Sequence, residues 1–244
     1  MTRYDTIGRS YSVTRQTDPR IAKQINRALG DAKAVVNVGA GTGNYESDAF
    51  SFVAVEPSLT MIAQRTSAAP AVRAVAEALP FADHTFDAAL AVLSAHHWTD
   101  VERGLREMQR VATRQVVFYF EPEWSNRLWI VADYFPSIRD LVTERAAPDS
   151  ARLATTLNVQ RIETVPVPAD CRDGFGGCYW NRPEAYLEPA VQEGMSCFSQ
   201  MDRSVLHDGM ARLRADLASG AWDARYGHLR GLTEMDLGYR LLVA

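Results

Sequence analysis

Ala34-Val35-Val36-Asn37-Val38-Gly39-Ala40-Gly41-Thr42-Gly43 is a short apolar run that breaks into three glycines at alternate positions. Four to eight continuous apolar residues ending at a turn read as a strand buried on both faces, the kind that parallel sheets contain. Glycines placed directly after such a strand let backbone approach a ligand where a side chain would collide. The dinucleotide fingerprint is G-x-G-x-x-G. Here the third glycine comes one residue early, giving G-x-G-x-G.

Outward from this run, strands and helices alternate. Upstream, Asp18-Pro19 is a helix start with Asp as N-cap and Pro at the first helical position. Ile21, Ile25 and Leu29 repeat every four residues and Gly30 stops the helix, so 18–30 packs one apolar face on something. Downstream, 52–55 is a second strand ending at Glu56-Pro57-Ser58, with Ser58 capping a helix over 59–64. The pattern predicts a third strand at 71–75, a fourth at 86–93, a helix over 100–112 and a fifth strand at 115–120. Alternation of this kind gives βαβ units and a parallel sheet. After Phe120 the rhythm changes: 121–158 reads as mostly helical, 159–167 as a strand, 168–182 as a Gly-, Cys- and aromatic-rich loop. Helices near 183–199 and 203–219 follow, and the chain closes on an apolar strand at 239–243. The expected fold is α/β and Rossmann-like: a mostly parallel seven-stranded sheet with helices on both faces and a helical lid insertion. One domain is expected, with an N-terminal arm and helix at 1–30, a ligand-holding core at 31–120, a largely helical lid at 121–220 and a C-terminal strand region at 221–244.

The 244 residues are 47% hydrophobic and 23% charged, ordinary for a globular domain. There is no apolar run long enough for a membrane span, and Met1–Asp5 lacks the apolar core of a signal peptide. The expectation is a cytoplasmic protein that does not engage a membrane. A net charge of −4 and no basic stripe argue against nucleic acid as a partner. Cys171, Cys178 and Cys197 have no CxxC spacing. They read as reduced, half-buried small residues, with a soft-ligand trio for a thiophilic substrate as the sharper alternative. No metal site is expected.

Three further stretches accompany the glycine turn. Glu56 ends the second strand, where an acidic group can accept hydrogen bonds from ribose hydroxyls. Ala76-Glu77-Ala78-Leu79-Pro80-Phe81 leads into Phe86-Asp87, and Leu105-Arg106-Glu107-Met108-Gln109-Arg110-Val111 precedes the fifth strand. This ordered set resembles the methyltransferase-11 group of class I S-adenosylmethionine-dependent methyltransferases, strongly over 34–120. The resemblance implies S-adenosyl-L-methionine as cofactor. It also implies that Gly39, Ala40 and Gly41 line its methionine part, that Glu56 binds its ribose, and that Ala76 meets the adenine edge with Pro57 nearby. Leu93 is expected to face its amino acid end, and Tyr11 and Arg15 from the arm to close over its carboxylate. Two positions depart from the group's pattern: Asn37, which the resemblance still implies as a cofactor-binding residue through its carbonyl acceptor, stands where the group usually has Asp, and Val75 where it often has Asp.

Ser94-Ala95-His96-His97-Trp98 follows the fourth strand, where a transferred methyl would emerge. It resembles the "LHW" of trans-aconitate-type methyltransferases. His97 is therefore the catalytic and substrate-binding candidate, orienting the nucleophile or taking its proton, or else packing against the lid. Glu121 could hold a cationic acceptor or stand solvated. Arg172 could pair with a substrate carboxylate or with Asp170 or Asp173 on the surface. Trp180 is a candidate wall of the acceptor pocket. The reaction this implies is methyl transfer to an oxygen or nitrogen of a small molecule, in specialised metabolism, by a monomer or homodimer. A methyltransferase-fold scaffold for a non-methylating reaction such as cyclisation, or a non-catalytic binding module, are the alternatives.

Overall fold

The computed structural model describes residues 14–244; the Tyr11 candidate lies outside them. Its first full helix is the one Asp18-Pro19 announces. α1 (Pro19–Leu29) starts where the Asp18 carboxylate accepts the Arg20 N–H at 3.0 Å, and it ends at Gly30, whose φ is 66°. Its four-residue repeat buries Ile21, Ile25 and Leu29. α2 (Leu59–Ile62) is shorter than the sequence predicts, and its N-cap is Ser58, whose Oγ accepts the Met61 N–H.

The described residues hold nine strands, numbered in chain order: β1 (Ala34–Val38), β2 (Ser51–Val55), β3 (Ala71–Val72), β4 (Phe86–Val92), β5 (Ala112–Phe120), β6 (Arg161–Thr164), β7 (Val167–Pro168), β8 (Glu234–Met235) and β9 (Tyr239–Val243). Seven form the main sheet in the order β3-β2-β1-β4-β5-β9-β6, while β7 and β8 pair separately. The neighbours from β3 to β5 are parallel; β9 runs antiparallel to both β5 and β6. Side chains alternate across this sheet. Val35, Leu90, Val116 and Leu241 face α1 and the later aromatic residues, while Val36, Val38, Ala89 and Val117 face the other layer. That layer is α3 (Val101–Val111), which buries Leu105 and Met108 there and is capped by the Asp100 carboxylate.

Two expected elements come out differently, for backbone reasons. The predicted strand over 159–167 is split, because Pro166 has no N–H to give the ladder. β6 pairs with β9, and the chain past the proline pairs with β8 instead. The predicted 71–75 strand pairs only over Ala71–Val72. Segment 121–158 is helical but in short pieces. They are α4 (Pro122–Ser125), a π turn at Ile130–Tyr134, a 3-10 turn at Pro136–Asp140, α5 (Val142–Ala146) and α6 (Ser150–Thr156). Further on, α7 (Pro189–Gly194) and α8 (Ser196–Ser199) are brief, whereas α9 (Arg203–Ser219) runs for 17 residues.

The two motifs flanking β4 touch each other. The Glu107 carboxylate accepts the Leu79 N–H at 2.8 Å, and Arg110 donates to the carbonyls of Leu79 and Phe81 at 2.9 and 2.7 Å. Arg110 also bonds Glu107, holding that carboxyl below its ordinary range. The helix motif thus fixes the loop motif, whose remaining acid, Glu77, accepts the backbone N–H groups of Thr99 and Asp100.

Candidate active site

In the main sheet the chain leaves β1 toward β2 on one side and returns as β4 on the other, so strand order reverses between β1 and β4. Open α/β sheets bind ligands at such a point, beyond the strand C-termini. The turn after β1 sits there. Gly39, Gly41 and Gly43 have φ of 71°, 55° and 91°, a region that side chains disfavour. A Cβ on Gly39 would fall 2.6 Å from Ser94 Cβ. Ser94 is pinned there by its Oγ, which donates to the Val38 carbonyl at 2.9 Å.

Glu56 ends β2 and is buried. One carboxylate oxygen accepts the Gly41 N–H and the other the Ser58 N–H, each at 2.9 Å. Asn37 is almost fully buried in β1; its Nδ2 donates to Glu46 at 2.9 Å, and Glu46 pairs with buried Arg65. Asn37 Oδ1 is buried without a hydrogen-bond partner among the described residues. The negative charge missing at Asn37 therefore stands beside it in space, at Glu46, nine residues along the chain.

A cavity of about 690 Å³ opens over this turn, within the size range of ligand pockets. Of the ten cofactor-contacting candidates, the nine described ones all line it: Arg15, Asn37, Gly39, Ala40, Gly41, Glu56, Pro57, Ala76 and Leu93. Trp98, the last residue of the Ser94–Trp98 stretch, also lines it, as do Met61, Thr99 and Thr143, which sequence reasoning did not single out. Gly104 lies under the Trp98 ring, where a Cβ would come within 2.5 Å of it. Arg15 reaches the cavity because Asp173, fully buried, accepts from its Nε and from the Tyr45 hydroxyl at 2.8 Å.

A second, smaller chamber of about 100 Å³ adjoins the first. Arg15, Leu93, His96 and His97 line both. Leu93 has φ of 46°, a costly conformation for a leucine, at the point where the chain turns from β4 into the His96-His97 turn. The chamber is otherwise mostly apolar, with Phe120, Leu128, Ile138, Phe175, Met195 and Phe198 among its walls. His96 packs against His97 and Phe120. Burial first, then Arg15, pushes its pKa down to about 3, so it stays neutral.

Three expected acceptor-site residues lie elsewhere. Trp180 is fully buried, with its Nε1 donating to the Val167 carbonyl at 3.1 Å and its own carbonyl accepting the Trp129 indole at 2.7 Å. It is part of an aromatic core, with Trp129 edge-on to Trp222 and Tyr186. Arg172 is exposed and lines neither cavity; among the described residues its backbone N–H is engaged, by Asp18. Glu121 lines neither cavity, because Ser150 occupies its carboxylate through both N–H and hydroxyl. The 168–182 loop is packed inward rather than free, with Cys171, Phe175 and Cys178 buried. Among the described residues no group of three His, Cys, Asp or Glu could hold a metal ion, and no helix is long and apolar enough to cross a membrane.

Known proteins share this arrangement. The family model described as a methyltransferase domain matches residues 36–120, the glycine turn through β5. A solved structure from Anabaena variabilis, described as a methyltransferase from an antibiotic biosynthesis pathway, superposes with a TM-score of 0.87 at 30% identity, covering 95% of this chain and 98% of that one. The Bacillus subtilis protein YcgJ shares the fold at 17% identity and a TM-score of 0.52, over 92% of this chain and 96% of that one. The demethylmenaquinone methyltransferase of Corynebacterium urealyticum is 34% identical over 45% of this chain and 53% of its own. MJ1252 of Methanocaldococcus jannaschii is 32% identical over 48% of this chain and 49% of its own, so the chain spans about half the length of these two curated relatives. The fold is that of the Rossmann-like methyltransferases. The chain belongs to the class I S-adenosylmethionine-dependent methyltransferases, whose cofactor is S-adenosyl-L-methionine.

Proposed function

We propose that this protein moves the methyl group of S-adenosylmethionine to an oxygen or nitrogen of a small molecule. The observation that carries the reading is that the cofactor-sized cavity over the Gly39–Gly43 turn and the apolar chamber meet at Leu93, His96 and His97. When bound, the cofactor supplies an electrophilic methyl carbon on a sulfonium. On this reading the Gly39, Ala40 and Gly41 backbone receives the methionine part, and the buried Asn37 Oδ1 accepts from its ammonium. Glu56 accepts from the ribose hydroxyls, and the Ala76 backbone meets the adenine, with Pro57 beside it. Arg15 faces the carboxylate. His97, at the junction, orients the acceptor, and segment 121–220 encloses it so that water is excluded from the reacting atoms. The description of the Anabaena relative supports an acceptor from specialised metabolism.

Calorimetry with S-adenosylhomocysteine tests the first half; no binding at millimolar ligand overturns it. Incubation with methyl-labelled cofactor and a metabolite extract tests the second. Label appearing in a small molecule supports transfer. Tight cofactor binding with no transferred label points to the cofactor as scaffold.

A further inference from the structure

α5 (Val142–Ala146) stands between the two cavities. Val142, Thr143 and Ala146 line the cofactor side, whereas Glu144 lines the small chamber. The helix packs against the turn that carries His96 and His97. The chamber's other polar groups are engaged or neutral. The Tyr186 hydroxyl donates to the Gly176 carbonyl, the Tyr239 hydroxyl accepts the Gly177 N–H, and Arg15 pairs with Asp173. The Glu144 carboxylate, by contrast, makes no hydrogen bond or ion pair among the described residues. A half-buried carboxylate with no protein partner, set among walls that include several apolar side chains, is costly. Such groups mark sites where a ligand completes the set.

We propose that Glu144 is the base for the acceptor, and that the acceptor presents one N–H or O–H to it from an apolar body of about ring size. This rests on the methyl-transfer reading above. The chamber, about 100 Å³, is smaller than the roughly 150 Å³ apolar cavity that holds benzene, so a ring fits by extending through the end that the chamber shares with the larger cavity at Leu93, His96 and His97. In the step, the acceptor's lone pair forms the bond to the methyl carbon and the carbon–sulfur pair leaves with sulfur. The proton released from the acceptor's N–H or O–H passes to a Glu144 carboxylate oxygen, then to water after product leaves.

Burial holds the Glu144 carboxyl up at about 7, where a general base is most effective near neutral pH. The groups facing it do not titrate in the same range. His96 is held neutral down to about 3, the Cys197 thiol is pushed up to about 12, and the Tyr239 phenol is pushed up further by burial. Cys197 and Tyr239 both feel the Glu144 charge across the chamber. Arg15 is held by Asp173. His97 is the other group at the chamber to be separated by experiment.

The test uses phenol and aniline as probes, both neutral between about pH 6 and 8, with toluene as the isostere lacking a donor. The expected result is that the affinity of phenol and aniline relative to toluene rises, by up to about tenfold, from pH 6 to 8 as the carboxyl ionises. In Glu144→Gln this ratio becomes flat with pH, while in His97→Gln the rise persists. A flat ratio in the wild type, a rise that survives in Glu144→Gln, or no binding of any of the three probes overturns the proposal. The Glu144 carboxyl carbon shift, followed by NMR in the unsubstituted protein, must titrate near neutrality; an ordinary carboxylate titration overturns it without any variant. S-adenosylhomocysteine affinity is measured in parallel. Its absence in the wild type defeats the methyl-transfer reading instead, and its retention in Glu144→Gln shows that the variant is folded.

Discussion

Glu56 and Gly41 lie 15 residues apart in the chain, yet the Glu56 carboxylate accepts the Gly41 N–H at 2.9 Å. The acid that the sequence marks as a ribose ligand therefore also shapes the glycine turn. Glu56→Ala should weaken S-adenosylhomocysteine binding by about 1.5–3 kcal/mol, the range for hydrogen bonds to a charged group. It should also lower the melting temperature, because the carboxylate is buried and bonds two backbone amides. Glu56→Gln keeps one acceptor oxygen but aims an N–H at a backbone N–H. It should lose affinity with a smaller loss of stability than Glu56→Ala. Calorimetry and thermal melts of both variants check this, and unchanged affinity in either refutes a cofactor contact.

Gly39 is a steric requirement before it is a binding one. Gly39→Ala places a Cβ 2.6 Å from Ser94 Cβ, at a backbone φ of 71°. We expect a loss of about 1–3 kcal/mol in stability, from strain and overpacking together. Ser94→Gly removes the opposing carbon, so the double variant should recover part of the loss, leaving the φ penalty. Denaturant titration of the three variants checks it; additive losses would mean that the two residues do not oppose each other.

The depressed His96 pKa makes a statement about acid stability. In the unfolded chain the imidazole takes a proton below its ordinary value of 6.5, whereas in the folded chain burial delays this to about 3. Across that window the unfolded state binds more protons, so stability falls as pH falls and is fully present above 6.5. His96→Gln removes this contribution, and its melting temperature should decline less steeply between these two pH values. Parallel melting curves for wild type and variant would contradict an imidazole that the fold holds neutral.

That one cavity gathers the glycine turn, Glu56 and Ala76 was legible from residue order because its signals are local: a strand into glycines, an acid at the next strand end, and a loop and helix motif that bond each other through Glu107 and Arg110. Backbone turns and strand ends carry such information in a few consecutive residues. The small adjoining chamber was not legible in this way. Trp180 and Arg172 looked functional as an aromatic and a cation on a Gly-rich loop, yet one is core and the other faces solvent. Glu144 has nothing beside it in sequence to mark it. Its isolation arises only when α5, α8 and β9 converge, through contacts more than 50 residues apart. The Asn37–Glu46 bond is a milder case, since a charge displaced nine residues along the chain leaves no pattern at Asn37 itself.

Division of labour between the two cavities gives the last prediction. Met195 and Ile138 line the small chamber and not the cofactor cavity, and both are nearly fully buried. Met195→Ala should cost about 2–5 kcal/mol in stability, the range for truncating a core side chain. It should leave S-adenosylhomocysteine affinity unchanged and raise the affinity of 1-naphthol relative to phenol, because the truncation adds room where the ring sits. Trp180→Ala should destabilise by about 3–5 kcal/mol through the lost aromatic core, with no selective effect on either ligand in whatever fraction stays folded. Arg172→Ala, on an exposed side chain, should change stability by no more than about 0.5 kcal/mol and leave both affinities alone. These three variants separate packing from recognition. Should Met195→Ala weaken cofactor binding without altering the naphthol-to-phenol ratio, the chamber serves the cofactor, and the acceptor must be sought elsewhere on the protein.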